Sequence, residues 1–128
     1  MGHWVPSSSQ FDVDEARIML KAIGNEAEQV LAYQCLADGL LEFEQEYRFE
    51  PSRKYRLDLA FPKQKVGIEI EGAIFAAGAH SRPLGIIRDM GKHNLLILSG
   101  WRVLRYTPSQ VRNGEAIEGL KRLLQEQK

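Results

Sequence analysis

The sequence predicts an α/β fold, one mixed β-sheet flanked by helices, in the order helices, three strands, helix, strand, helix. Three observations carry this. Short runs with a two-residue apolar period recur between residues 41 and 71, and longer runs with a helical period lie on either side of them. The last strand candidate, 101–106, is separated from the others by a helix, so it is expected to enter the sheet parallel to a neighbour. The chain has 128 residues, the length of a single domain, and folding buries roughly two-thirds of its unfolded surface.

The elements follow in order. Residues 1–11, with Pro6 and Ser7-Ser8-Ser9, read as a flexible N-terminal arm before one domain spanning 12–128. Asp12 with Glu15, and Asn25 with Glu28, have capping-box spacing. Each pair opens an apolar helical stripe: Val13, Ala16, Leu20, Ile23, then Ala27, Val30, Leu31, Cys35. Gly24 and Gly39 close these helices. Over 41–49, Leu41, Phe43, Tyr47 and Phe49 alternate with Glu42, Glu44, Glu46 and Arg48, the period of a strand whose acids face water. Residues 55–61 and 65–71 read as a hairpin turning through Pro62-Lys63-Gln64-Lys65. A Gly- and Ala-rich loop, 72–85, carries His80 and Arg82. A helix over 86–99 ends at Gly100, and Trp101 belongs to the core beside the fourth strand. Thr107 and Pro108 open a final amphipathic helix bearing Ala116, Ile117, Leu120, Leu123 and Leu124.

Composition bounds the function. With 44% hydrophobic and 27% charged residues, the chain is an ordinary globular one, and no run approaches the ~20 apolar residues of a membrane span. The lack of such a run disfavours a membrane partner, and the single cysteine, Cys35, rules out an intrachain disulfide framework and a Cys-based zinc site, which favours a cytoplasmic setting. The net charge is zero, yet residues 1–50 carry 3 basic and 10 acidic side chains, and residues 51–128 carry 14 and 7. A basic second half is compatible with a polyanion, and equally with two solvated faces of opposite sign.

Asp58, Glu69 and Glu71 carry the chemical information, because Asp is depleted in strands and these acids interrupt runs built to pair. A hairpin centred between Lys63 and Gln64 places Asp58 opposite Glu69, with Cβ atoms about 5 Å apart, and Glu71 on the same face as Glu69. Facing carboxylates destabilise a sheet unless a cation or an added proton compensates. Mg²⁺ or Mn²⁺ held by Asp58, Glu69 and Glu71 is the expected cation, with phosphate oxygens completing its shell, as in a phosphodiester-cleaving site. The alternative is a half-exposed strand with its acids simply in water.

Further motifs extend the pattern: Glu46-Tyr47-Arg48-Phe49, Arg56-Leu57-Asp58-Leu59-Ala60, Ile68-Glu69-Ile70-Glu71-Gly72, His80-Ser81-Arg82, Asp89 with Lys92 and Asn94, and Gly100-Trp101-Arg102-Val103-Leu104-Arg105. In this order, over about residues 26–119, the sequence resembles phage and prophage endonuclease-domain proteins of the PD-(D/E)XK superfamily. The resemblance implies a restriction-endonuclease-like αβββαβ core and a Mg²⁺- or Mn²⁺-dependent DNA endonuclease, in host cytoplasm if phage-encoded. Asp58 and Glu69 match the two metal-binding acids. Glu71 stands where a lysine is usual, and Lys92 is the candidate replacement, a second metal being the other explanation. Glu28 matches an acid that many members present from the first helix, although capping explains it equally well. His80, Arg82 and Arg105 are candidates for binding DNA phosphates, and a homodimer would let two sites act on two strands. A branched-DNA or nicking activity fits the same class. The competing reading is a catalytically silent DNA-binding or assembly module.

Overall fold

In the computed structural model, residues 24–72 and 83–126 are described. The arm over 1–11, the helix expected over 12–23, and the loop segment bearing His80 and Arg82 lie outside the described residues. The elements are α1 (Glu26–Ala37), β1 (Glu44–Tyr47), β2 (Leu57–Phe61), β3 (Val66–Ile70), α2 (Pro83–Leu98), β4 (Arg102–Tyr106), α3 (Pro108–Arg112) and α4 (Glu115–Gln125). Four strands form one mixed sheet in the order β1-β2-β3-β4, with the first two pairings antiparallel and β3-β4 parallel. The architecture is α/β, and the parallel entry of the last strand follows from the crossover through α2.

The hairpin register is the expected one, with Leu59 opposite Ile68, Ala60 opposite Gly67 and Phe61 opposite Val66. The turn is closed by Gln64 N–H donating to Phe61 and Lys65 N–H to Pro62, with Lys65 at φ +56°. That left-handed residue lets a four-residue loop join the strands without Gly or Asn. Gly67 has a packing reason: a Cβ there would lie 2.7 Å from Leu57 Cδ1.

Two apolar clusters sit on the two sides of the sheet. One joins Leu31, Ala32 and Cys35 of α1 to Leu59, Phe61, Val66 and Ile68, with Val111, Ala116, Ile117 and Leu120 from the last two helices. The other joins Leu57 and Ala60 to Leu96 and Trp101. A regular strand would send Leu57, Leu59 and Phe61 to one side. Here the two-residue period breaks at Asp58, since Leu57 and Leu59 join different clusters.

Three expected elements differ in extent. The strand over 41–49 shrinks to Glu44–Tyr47, and within it Glu46 takes φ +51°, a break in regular pleating. The C-terminal helix divides at Asn113 and Gly114, where Gly114 takes φ +93°. Helix α2 starts at Pro83 rather than 86 and buries only Leu96. Its Leu84, Ile86, Ile87, Met90, Ile97 and Leu98 remain 43–84% exposed. No helix among the described residues is long and apolar enough to cross a membrane.

Candidate metal centre

Asp58 stands where β2 and β3 part. Beyond the Leu59–Ile68 pair its Oδ2 accepts the Ile70 N–H at 2.7 Å, so a carboxylate replaces a ladder carbonyl. The β1 register, with Gln45 opposite Leu59 and Tyr47 opposite Leu57, sets Glu46 opposite Asp58. A non-glycine residue at φ +51° costs about 1–2 kcal/mol, and that strained backbone adjoins the acidic cluster.

From the other side, α1 delivers Glu28. Asn25 caps the helix, its side chain accepting the Glu28 N–H at 3.0 Å. The Glu28 carboxyl lies buried, 7% exposed, and its Oε2 has no hydrogen-bond partner. Gly24 is required here, since at φ +77° a Cβ would fall 1.8 Å from that oxygen. Ligand oxygens of Glu28, Glu46 and Asp58 lie within 4.8 Å of one another.

The electrostatics follow from this crowding. Burial pushes the Glu28 carboxyl up to about 8, helped by its hydrogen bond with Glu46 and by the Asp58 and Glu46 charges, against a lowering contribution from the Asn25 backbone. Burial likewise raises Asp58 to about 6, and the Glu69 and Glu46 charges add to it, while the Ile70 N–H and Lys92 oppose it. Glu28 and Asp58 thus hold protons that isolated acids would release.

Glu69 and Glu71 meet cations instead. Lys92 Nζ of α2 forms an ion pair with Glu69 Oε2, both side chains being about one-fifth exposed. Arg105 of β4 donates to Glu71 Oε2 through Nη2 at 2.9 Å and Nε at 3.0 Å. The parallel register explains the second pair, since Arg105 lies opposite Glu69 and the Glu71 N–H bonds to the Tyr106 carbonyl.

Asp58, Glu69, Glu71, Lys92 and Arg105 line one cavity of about 500 Å³, so the sheet does bring these residues to a common site. The triplet of acids expected to share one ion, Asp58, Glu69 and Glu71, is altered. Among the described residues, the set that brings three ligand oxygens together is Glu28, Glu46 and Asp58. The physical reason is geometric: the β1–β2 register sets Glu46 beside Asp58 and α1 brings Glu28 to them, while Glu69 and Glu71 are drawn to Lys92 and Arg105. Glu46 was expected in solvent; its side chain is 23% exposed and is paired with Arg56 at 3.0 Å. No sequence signal short of its register opposite Asp58 would have found it.

A second cavity, about 250 Å³, opens on the other side of Asp58, Asp89 and Lys92, residues common to both. Lys54, Arg56 and Arg88 line it, three cations of which the motif pattern included only Arg56. Comparison of the chain with protein-family models, curated proteins and solved structures finds no match.

Proposed function

We propose that the protein is a Mg²⁺- or Mn²⁺-dependent hydrolase of DNA phosphodiesters, built on a restriction-endonuclease-like core. The observation that carries this reading is the position of Asp58, which faces Glu28 and Glu46 on one side and the Glu69–Lys92 pair on the other. The donor set fits a hard divalent cation: three carboxylates, with Glu28 Oε2 buried and lacking a partner. Asp58, Glu28 and Glu46 would hold the ion. When bound, it would polarise the phosphodiester and acidify a water.

The chain's own residues divide the remaining work. Lys92 supplies the cation that Glu71 cannot. Its ammonium, held by Glu69 on the cavity wall, can stabilise charge developing on the phosphate or orient a water. Asp89 lines both cavities one turn of α2 before Lys92. Lys54, Arg56 and Arg88 form a basic approach suited to backbone phosphates, which dominate non-specific DNA affinity. Arg105, 54% exposed at the side chain, can donate to a phosphate while holding Glu71.

The test is incubation with supercoiled, linear, nicked and branched DNA in Mg²⁺ or Mn²⁺, with Asp58→Asn alongside. Metal-dependent cleavage that this variant loses is the expected result. DNA binding without cleavage of any substrate would favour the silent module, and unimpaired cleavage by the variant would refute the assigned site.

A further inference from the structure

Arg56 stands between the acidic cluster and the basic cavity. Its Nη1 pairs with Glu46 Oε1 at 3.0 Å, and the residue also lines the second cavity beside Lys54, Arg88 and Lys92. Glu46 in turn is hydrogen-bonded to Glu28 and shares the cluster of ligand oxygens with Glu28 and Asp58. One carboxylate therefore joins the candidate ion to a guanidinium of the basic cavity. Among the described residues, Glu46 is the one of the three ligand acids held in an ion pair.

The register accounts for the pair, since Tyr47 opposite Leu57 sets Glu46 and Arg56 on a diagonal across the β1–β2 ladder, within reach of a long side chain. Packing anchors the backbone there. Tyr55 stacks on Phe49 with ring centroids 6.2 Å apart, and its hydroxyl lies against Gly91 of α2, where a Cβ would come within 3.3 Å. The Arg56 side chain, by contrast, is 57% exposed. An exposed ion pair contributes little net stability, so a competing anion can take the guanidinium. Glu71 and Glu69 are held more firmly, Glu71 through two nitrogens of Arg105 and Glu69 by a Lys92 side chain that is largely buried.

We propose that Arg56 is an internal counterion that couples a phosphate in the second cavity to a divalent cation at Glu28, Glu46 and Asp58. The coupling rests on the hydrolase reading and adds a regulation of its site, in which a DNA strand in the basic cavity loads the metal centre. Without DNA, the guanidinium occupies a Glu46 oxygen, and its charge opposes a dication on the same carboxylate. A backbone phosphate that reaches Lys54 and Arg88 also meets Arg56, whose planar fork suits phosphate oxygens. Glu46 is then released to the ion. Coupling between two ligands is reciprocal, so the ion tightens DNA by the factor by which DNA tightens the ion. Arg56 is thus a positioning residue that acts through Glu46.

Titration of the full chain with Mn²⁺ in the absence of DNA, followed by the paramagnetic resonance of the free ion, is the first test. Arg56→Gln should bind Mn²⁺ about 10-fold more tightly than wild type, a gain that loss of a merely structural contact would not give. Arg56→Lys keeps the charge and should stay near wild type. The second test is fluorescence anisotropy of a phosphorothioate-substituted duplex, in which Mn²⁺ should tighten binding about 10-fold for wild type and much less for Arg56→Gln. Circular dichroism verifies that both variants are folded. A wild type that binds no Mn²⁺ overturns the metal centre and the coupling together. A wild type that binds Mn²⁺, with Arg56→Gln equal or weaker, overturns the coupling and leaves the hydrolase reading standing. Arg56→Lys as tight as Arg56→Gln overturns the role of charge, and full coupling retained in Arg56→Gln overturns the link to phosphate.

Discussion

Raising the pH is the perturbation that probes the acidic cluster most directly. Glu28 is lifted from an ordinary value of 4.5 to about 8, and Asp58 from 3.8 to about 6. A carboxyl whose folded value is raised binds more protons folded than unfolded. Its favourable contribution is complete below the unfolded value and disappears as pH rises to the folded one. The windows are therefore pH 4.5 to about 8 for Glu28 and 3.8 to about 6 for Asp58. Within a window each group contributes up to about 1.4 kcal/mol per pH unit. With both shares reduced for solvent screening, the metal-free protein should lose about 3 kcal/mol between pH 5 and pH 8. For a chain of 128 residues, that is a fall of roughly 10 °C in the unfolding midpoint. Thermal unfolding followed by circular dichroism in chelator measures it. Glu28→Gln removes the largest source, so its midpoint should fall by less than half as much over the same range. Adding Mn²⁺ at pH 8 should restore wild type by mass action but help Glu28→Gln less. A wild-type midpoint that is flat with pH, or a variant with an unchanged slope, would refute the account of Glu28 as a buried, crowded acid.

Other perturbations separate the parts of the site. Asp58→Asn should reduce cleavage at least ~10³-fold while the far-ultraviolet spectrum is unchanged, because it removes a ligand charge without changing shape. Lys92→Met should cost about 1–3 kcal/mol of stability by leaving Glu69 without its cation, and should cut turnover more than DNA affinity, as single-turnover and binding assays can resolve. Gly24→Ala should destabilise by about 1–3 kcal/mol in chemical denaturation and weaken Mn²⁺ binding, since a Cβ cannot occupy the space of Glu28 Oε2. Lys54→Ala and Arg88→Ala should each flatten the salt dependence of DNA binding by about one unit of slope, measured by fluorescence anisotropy, if each contacts one phosphate.

Some of this was legible in the sequence for a local reason. The hairpin register depends on the turn and on the burial period, both written in residues 57–70, so the pairs Leu59–Ile68, Ala60–Gly67 and Phe61–Val66 could be derived without coordinates, whereas the parting of the strands at Asp58, whose carboxylate takes the Ile70 N–H, could not. The cap at Asn25, the buried Cys35 and Trp101, and the parallel fourth strand likewise follow from spacing and from crossover geometry. Tertiary structure alone decided which acids share a charge environment. Glu46 looked solvated because a two-residue period assumes regular pleating. Its left-handed backbone and its place beside Asp58 arise from strand pairing, which no local window encodes. Glu69 and Glu71 looked available until Lys92 and Arg105, 23 and 34 residues further along, arrived from α2 and β4 to pair with them. The side of α2 that meets the sheet was decided in the same way. Leu96 packs with Leu57, Ala60 and Trp101, while Leu84, Ile87 and Leu98 stay exposed.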